Sequence, residues 1–125
     1  MNQIELHPGN PSQKLVAYLE AKGIHPSGYS PLGSADSPLY ENPTLIAIAE
    51  AKGRTPQQIL LAWGLQKGWN VLPKSVTKAR IEANWALDGW ALTDDEVARL
   101  DGIQERFKVC GDGWLPVKVF FGDDE

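Results

Sequence analysis

Two short stretches carry the residue types that bind a flat, charged ligand. The first is Val71, Leu72, Pro73, Lys74, Ser75, Val76, Thr77, Lys78, Ala79, Arg80, Ile81, Glu82, Ala83 and Asn84. An apolar strand pattern ends, a lysine and a serine follow, and a helical pattern opens almost at once. A helix N-terminus presents unpaired N–H groups and a partial positive charge. Lys74 adds an ammonium, Ser75 a hydroxyl, and Arg80 a forked guanidinium suited to phosphate. Asn84 stands four residues after Arg80 and shares its helix face. The set reads as an anion pocket with a polar reader beside it. The competing reading is a solvated lysine and an arginine paired with a nearby carboxylate. The second stretch is Gly28, Tyr29, Ser30, Pro31, Leu32, Gly33 and Ser34. It also follows a strand, where α/β proteins gather ligands. A tyrosine there offers a flat face to a ring, and the small residues after it let the backbone approach a phosphate. The competing reading is an ordinary loop with a half-buried tyrosine.

Other polar residues read as structural. His7 precedes Pro8 and His25 precedes Pro26, each at a strand end rather than poised as a base. Glu5, within a strand, reads as a carboxylate paired with a neighbour, the competing reading being a buried acid. Asp94, Asp95 and Glu96 read as helix-start carboxylates, and Asp123, Asp124 and Glu125 as a solvated tail. Trp63 reads as core, and Trp114 as a residue that covers a pocket or packs the tail down. The single Cys110 excludes an internal disulfide and a cysteine-based zinc site. There is no Gly-rich phosphate loop of Walker or Rossmann type, no nucleophile elbow and no HExxH. No metal site and no catalytic residue is assigned.

The elements that must position these residues follow from periodicity. Residues 1–6 read as a strand, stopped by His7, Pro8, Gly9, Asn10 and Pro11. Residues 12–22 read as a helix with Leu15, Tyr18 and Leu19 on one face. Residues 24–29 read as a strand weakened by Pro26 and Gly28, and residues 30–42 as a long loop. Residues 43–52 read as a helix ended by Gly53. Thr55, Pro56 and Gln58 make a capping box that opens a helix burying Ile59, Ala62 and Trp63. A strand over 70–73 and a helix over 77–85 follow. Thr93 and Glu96 make a second capping box, stapled by Leu92 and Val97. Strands alternating with helices imply parallel pairing. Parallel sheets are normally covered on both faces, which so few helices cannot do, so the sequence reads as part of a sheet.

The composition narrows the partners. Twelve basic against sixteen acidic residues in 125 give a net charge of −4, which argues against nucleic acid or an anionic membrane as the main partner. Residues 1–20 lack the basic start and unbroken apolar run of a signal peptide. No apolar run reaches the ~20 residues that span a bilayer. The expectation is a soluble, cytoplasmic domain with no membrane partner.

Four ordered segments now resemble the aldo-keto reductase family. They are Asn2, Gln3, Ile4, Glu5, Leu6, His7 and Pro8; Tyr29 to Ser34; Thr55, Pro56, Gln57 and Gln58; and Pro73, Lys74, Ser75 and Val76 with Arg80, Ile81 and Asn84. The resemblance runs from Met1 to about Gly102. It implies an α/β chain forming part of a (β/α)8 TIM barrel: about the last three βα units over residues 1–106, then a C-terminal loop and tail over 107–125. Complete barrels of this kind typically need ~250 residues. The family reduces aldehydes and ketones with NADPH or, less often, NADH. By resemblance, Gln3 would hold the nicotinamide carboxamide and Tyr29 would stack under its ring. Ser30, Leu32 and Ser34 would line the pyrophosphate. Lys74, Ser75 and Arg80 would grip the 2′-phosphate, favouring NADPH over NADH, and Asn84 would touch the adenine. The tail from Phe107 to Phe121 would shape the pocket of a small-molecule carbonyl substrate. Ala83 stands where many relatives carry Glu or Gln.

The family's catalytic Asp, Tyr, Lys and His match nothing here; Tyr18, Tyr40, His7 and His25 lie in the wrong segments. The expectation is a truncated NADPH-dependent oxidoreductase that is inactive alone. Met1, standing where an apolar residue usually precedes Asn and Gln, fits a start codon inside a longer reading frame. The alternatives are a non-catalytic NADPH-binding module, and a half-barrel that associates with itself or a partner through exposed sheet edges.

Overall fold

The computed structural model describes residues 1–111, 113 and 115–117. Among these residues three strands and five α-helices follow in the order β1 (Asn2–Glu5), α1 (Gln13–Ala21), β2 (Pro26–Tyr29), α2 (Pro43–Lys52), α3 (Pro56–Gln66), β3 (Asn70–Leu72), α4 (Lys78–Trp85) and α5 (Asp94–Asp101). The strands form one parallel sheet in the order β1-β2-β3. Gln3 pairs with Ser27 and Glu5 with Tyr29; across the next ladder Ser27 pairs with Asn70 and Tyr29 with Leu72.

Strand alternation sorts these residues onto two faces. Gln3, Ser27 and Asn70 form one row and Glu5, Tyr29 and Leu72 the next, both on the same face. Ile4, Gly28 and Val71 lie on the other. That second face carries the core. Leu6 and Ile4 join a cluster with Val16 of α1, Leu45 and Ile48 of α2, Ile59 and Trp63 of α3, and Leu100 of α5. Helix α3 comes close enough that a Cβ on Gly64 would lie 2.7 Å from Val71 Cγ1. Strands on one side and helices on the other is the wall of a barrel rather than a doubly covered sheet, as expected for part of a (β/α)8 fold.

Local chemistry explains most boundaries. Asn42 caps α2 by accepting N–H bonds from Thr44 and Leu45 at 2.9 and 3.3 Å, and Gly53 ends it at φ 61°, a conformation glycine adopts without penalty. The capping boxes of α3 and α5 both form. The staple residue Leu92 is buried, and Val97 packs on the same core.

Several expectations need correction. Helix α1 buries Val16 and Leu19, whereas Leu15 and Tyr18 are 39% and 57% exposed. The stripes 15/18/19 and 16/19 overlap at Leu19, and packing against β2 selects the second. Ser12 adopts a left-handed conformation without capping the helix. The loop over 30–42 contains a 3-10 turn, Pro38–Glu41, closed by Ser37 Oγ accepting the Leu39 N–H at 3.3 Å; it exists because Leu39 is fully buried. Strand β2 is shorter than the 24–29 reading, but Pro26 and Gly28 both lie in it. Pro26 holds the first position, where a strand tolerates it. A Cβ on Gly28 would lie 3.1 Å from Leu6 Cβ, so the missing side chain lets Leu6 pack over the strand. Strand β3 stops at Leu72, and α4 starts at Lys78 with no side-chain cap from Thr77. Trp114 and the acidic end of the tail lie outside the described residues.

Candidate functional site

Because β2 and β3 are parallel and in register at Tyr29 and Leu72, the segments that follow them leave the sheet at the same end. Tyr29 closes β2 and is half-buried. Burial pushes its phenol pKa up, with Cys110 and Glu5 nearby adding to the effect, so the ring stays neutral at physiological pH. The loop after it is tightly wound. Ser30, Gly33 and Ser34 have φ of 46°, 70° and 75°, and the Gly33 N–H donates to Ser30 O at 2.9 Å. Left-handed serines are uncommon and point to a loop shaped for a purpose. Leu32 anchors this loop on the core. A Cβ on Gly33 would lie 2.5 Å from Ser37 Oγ, so the backbone there tolerates only glycine.

Lys74 and Ser75 follow the end of β3, and Arg80 occupies the first turn of α4. Lys74 and Arg80 are exposed. Among the described residues the ion pairs are His7–Glu5, Lys52–Glu96, Lys67–Asp101 and Lys78–Glu82, and they include neither Lys74 nor Arg80. The reading of Arg80 as a carboxylate partner therefore finds no such pair there. Ser75 Oγ accepts the Thr77 N–H at 3.3 Å, which leaves its own hydrogen to donate. Arg80 also reaches the field of Tyr40 in the 3-10 turn. Burial pushes the Tyr40 phenol up, and the Gln57 hydrogen bond and the Arg80 charge partly oppose that. Asn84 is half-buried, one turn beyond Arg80.

Helix α4 has no buried residue. Its position comes from Gln58 of α3. Gln58 Oε1 accepts the Thr55 N–H at 3.1 Å in the capping box, while Nε2 donates to Ala83 O at 3.0 Å and Ala86 O at 3.3 Å. One glutamine both starts α3 and holds the far end of the arginine-bearing helix.

Gln3 stands apart from the cations, two strands from β3, exposed on the face opposite the helices and one row from Tyr29. Among the described residues no group of three or more His, Cys, Asp or Glu side chains is placed to hold a metal ion. No helix among them is long and apolar enough to cross a membrane.

Sequence reasoning gave Glu5 and His7 ordinary structural roles but missed their reach. Both are buried, at 4% and 0% exposed. The His7 Nε2–H donates to Glu5 Oε1 at 2.9 Å, because an ionised carboxylate only accepts. Val109 N–H donates to Glu5 Oε1 at 2.6 Å and Cys110 N–H to Oε2 at 2.8 Å. Burial alone would raise the Glu5 pKa; the hydrogen bonds from His7, Cys110 and Val109 outweigh it and hold the group below the usual carboxylate range. The available signal was two polar residues at i and i+2, on one face of a strand's end.

Comparison with known proteins agrees with this architecture. Residues 1–105 match the Aldo/keto reductase family. Glycerol 2-dehydrogenase (NADP(+)) of Hypocrea jecorina is 42% identical over 98% of this chain and 39% of its own length. The solved aldose reductase of Giardia lamblia superposes with a TM-score of 0.83 at 37% identity, covering 90% of this chain and 40% of that one. A Gox0644 variant solved in complex with NADPH gives a TM-score of 0.76 at 34% identity, covering 86% of this chain and 38% of that one. The chain therefore spans about two fifths of the length of these relatives. With a family match over most of its residues and a barrel-wall fold shared with solved reductases, the chain belongs to the aldo/keto reductase family.

Proposed function

We propose that this chain is the NADPH-holding part of a carbonyl reductase, and that it reduces no carbonyl by itself. The observation that carries the reading is the pair of exposed cations, Lys74 and Arg80, outside every ion pair among the described residues and flanking the start of α4. They stand at the same end of the sheet as Tyr29. A 2′-phosphate carries close to two negative charges at neutral pH and needs such partners. Lys74, Arg80 and the Ser75 hydroxyl would bind it, and Asn84 would meet the adenine. The wound loop would line the pyrophosphate with Ser30, Leu32 and Ser34. Tyr29 would stack under the nicotinamide ring, and Gln3 would hold its carboxamide. NADPH, when bound, supplies the hydride for carbonyl reduction. A proton donor for the carbonyl oxygen is not among the residues that match the family's segments here, which is why the chain alone is assigned binding without turnover.

Titration of the intact chain, followed by nucleotide fluorescence, tests this. NADPH is expected to bind at least about tenfold more tightly than NADH, as the charge-assisted contacts to one phosphate imply. Added aldehyde is expected to leave NADPH absorbance unchanged. Equal affinity for the two nucleotides, or steady turnover, overturns the reading.

A second reading rests on the sheet. Among the described residues, the face bearing Gln3 and Leu72 carries no helix from the core cluster, and β1 and β3 are the sheet's edges. Leu72 is 45% exposed there. Open edges and apolar surface recruit partners. Self-association of this half-barrel predicts concentration-dependent sedimentation; a folded monomer across the micromolar range removes that reading.

A further inference from the structure

The segment over residues 107–110 is fastened to the sheet at several points, and its centre is Glu5. Phe107 N–H donates to Gly9 O at 3.0 Å. The Phe107 ring stacks on His7 at 4.6 Å and 23°. It sits so close to Gly9 that a Cβ there would lie 2.7 Å from Phe107 Cδ1. Two residues on, Val109 and Cys110 both donate to the Glu5 carboxylate. Glu5 in turn is the ladder partner of Tyr29, and Leu6 N–H donates to Tyr29 O at 3.4 Å.

We propose that Glu5 is the positioning residue for the segment over residues 107–110: its carboxylate hooks Val109 and Cys110 beside Tyr29 and so sets how far that segment covers the ring. Both carboxylate oxygens are used, one for each N–H, and His7 shares Oε1 to fix the carboxylate's orientation. Two N–H donors converging on one carboxylate favour its ionised form, and they weaken when it is protonated. The groups facing Glu5 that can titrate are His7 at the exit of its own strand, Tyr29 on β2 and Cys110 on the segment itself. The favourable hydrogen bonds lower the Glu5 pKa in the folded chain. The hook is therefore intact above the ordinary carboxylate range and is lost as pH falls through the folded value. Covering Tyr29 matters for cofactor access only if Tyr29 holds the nicotinamide, so that consequence rests on the proposed function; the hook itself does not.

Amide hydrogen exchange on the intact, nucleotide-free chain tests the hook. Glu5→Gln keeps the size but replaces one acceptor oxygen with an NH2 group that faces an N–H. Val109 and Cys110 amides are expected to exchange at least about tenfold faster, the loss of one charge-assisted bond, while α3 amides keep their rates. Nitration of Tyr29 is expected to speed up relative to the exposed Tyr18, the internal standard. Gly9→Ala leaves Glu5 in place, displaces Phe107 and is expected to release the same amides. In the parent chain, the acid midpoint of Val109 and Cys110 release is expected to coincide with Glu5 titration followed by carboxyl carbon shifts. Unchanged exchange at Val109 and Cys110 in a folded Glu5→Gln chain overturns the proposal, as does an equal rise throughout α3. If Glu5→Gln does not fold, separate midpoints in the parent chain overturn it. None of these readouts uses NADPH, so a failed hook and a failed cofactor reading are told apart.

Discussion

Trp63→Ala is expected to lower the urea midpoint of unfolding by half or more, with the slope of the transition unchanged. Trp63 is 1% exposed at the centre of the core. Trp69 meets it edge-on at 5.3 Å, and Lys67 Nζ lies 5.4 Å from the ring centroid. Its Nε1–H donates to Asp101 Oδ1 at 2.8 Å, tying α3 to α5, and Lys67 holds the other oxygen at 2.6 Å. Truncating a buried Trp to Ala typically costs about 3–5 kcal/mol, against a total stability of about 5–15 kcal/mol for a domain. Among the described residues the sheet has one helix-free face and two unpaired edges, which places this chain toward the lower end, so the loss removes most of what holds it folded. Trp63→Phe keeps much of the ring packing and is expected to cost less. Urea titration by circular dichroism reads both; a Trp63→Ala midpoint within a tenth of the parent's would contradict the central role given to this side chain.

Arg80→Ala is expected to abolish the preference for NADPH over NADH. The variant should weaken NADPH on the order of ten- to a hundredfold, the range for one charge-assisted contact to a phosphate, and leave NADH affinity nearly unchanged. The asymmetry is the informative part. A variant that disturbed the fold would weaken both nucleotides, whereas loss of a 2′-phosphate partner weakens only the one that carries the phosphate. Lys78→Ala is the control, because Lys78 is a nearby cation already facing Glu82 across one helical turn at 3.8 Å. Nucleotide titration of the three chains gives the answer, and parallel losses for NADPH and NADH in Arg80→Ala would remove Arg80 from the phosphate site.

How much of this was legible in the sequence depends on the range of each interaction. The capping boxes of Thr55 with Gln58 and of Thr93 with Glu96 act over three residues, so their spacing is visible directly. The cluster of Lys74, Ser75 and Arg80 is local in the same sense, spanning the exit of a strand and the first turn of a helix. Gln58 was legible as a cap but not as the tether of α4, because Ala83 and Ala86 lie 25 and 28 residues away. The Glu5 hook reaches residues 104 and 105 positions distant, beyond any periodicity. Helix α1 shows a different limit: two overlapping apolar stripes fit the same helix, and only the neighbouring strand decides between them. Strand β2 shows a third, since pairing on both sides overrides the poor strand propensity of Pro26 and Gly28.

The bareness of α4 has an optical consequence. Trp85 closes that helix and is 86% exposed, whereas Trp63 and Trp69 are shut inside the core. Iodide in solution can therefore collide with Trp85 while sparing those two indoles. In a chain with the half-buried Trp90 and with Trp114 replaced by Phe, the helix that bears Arg80 and Asn84 carries its own lamp, and quenching of that emission follows the site without any label being attached.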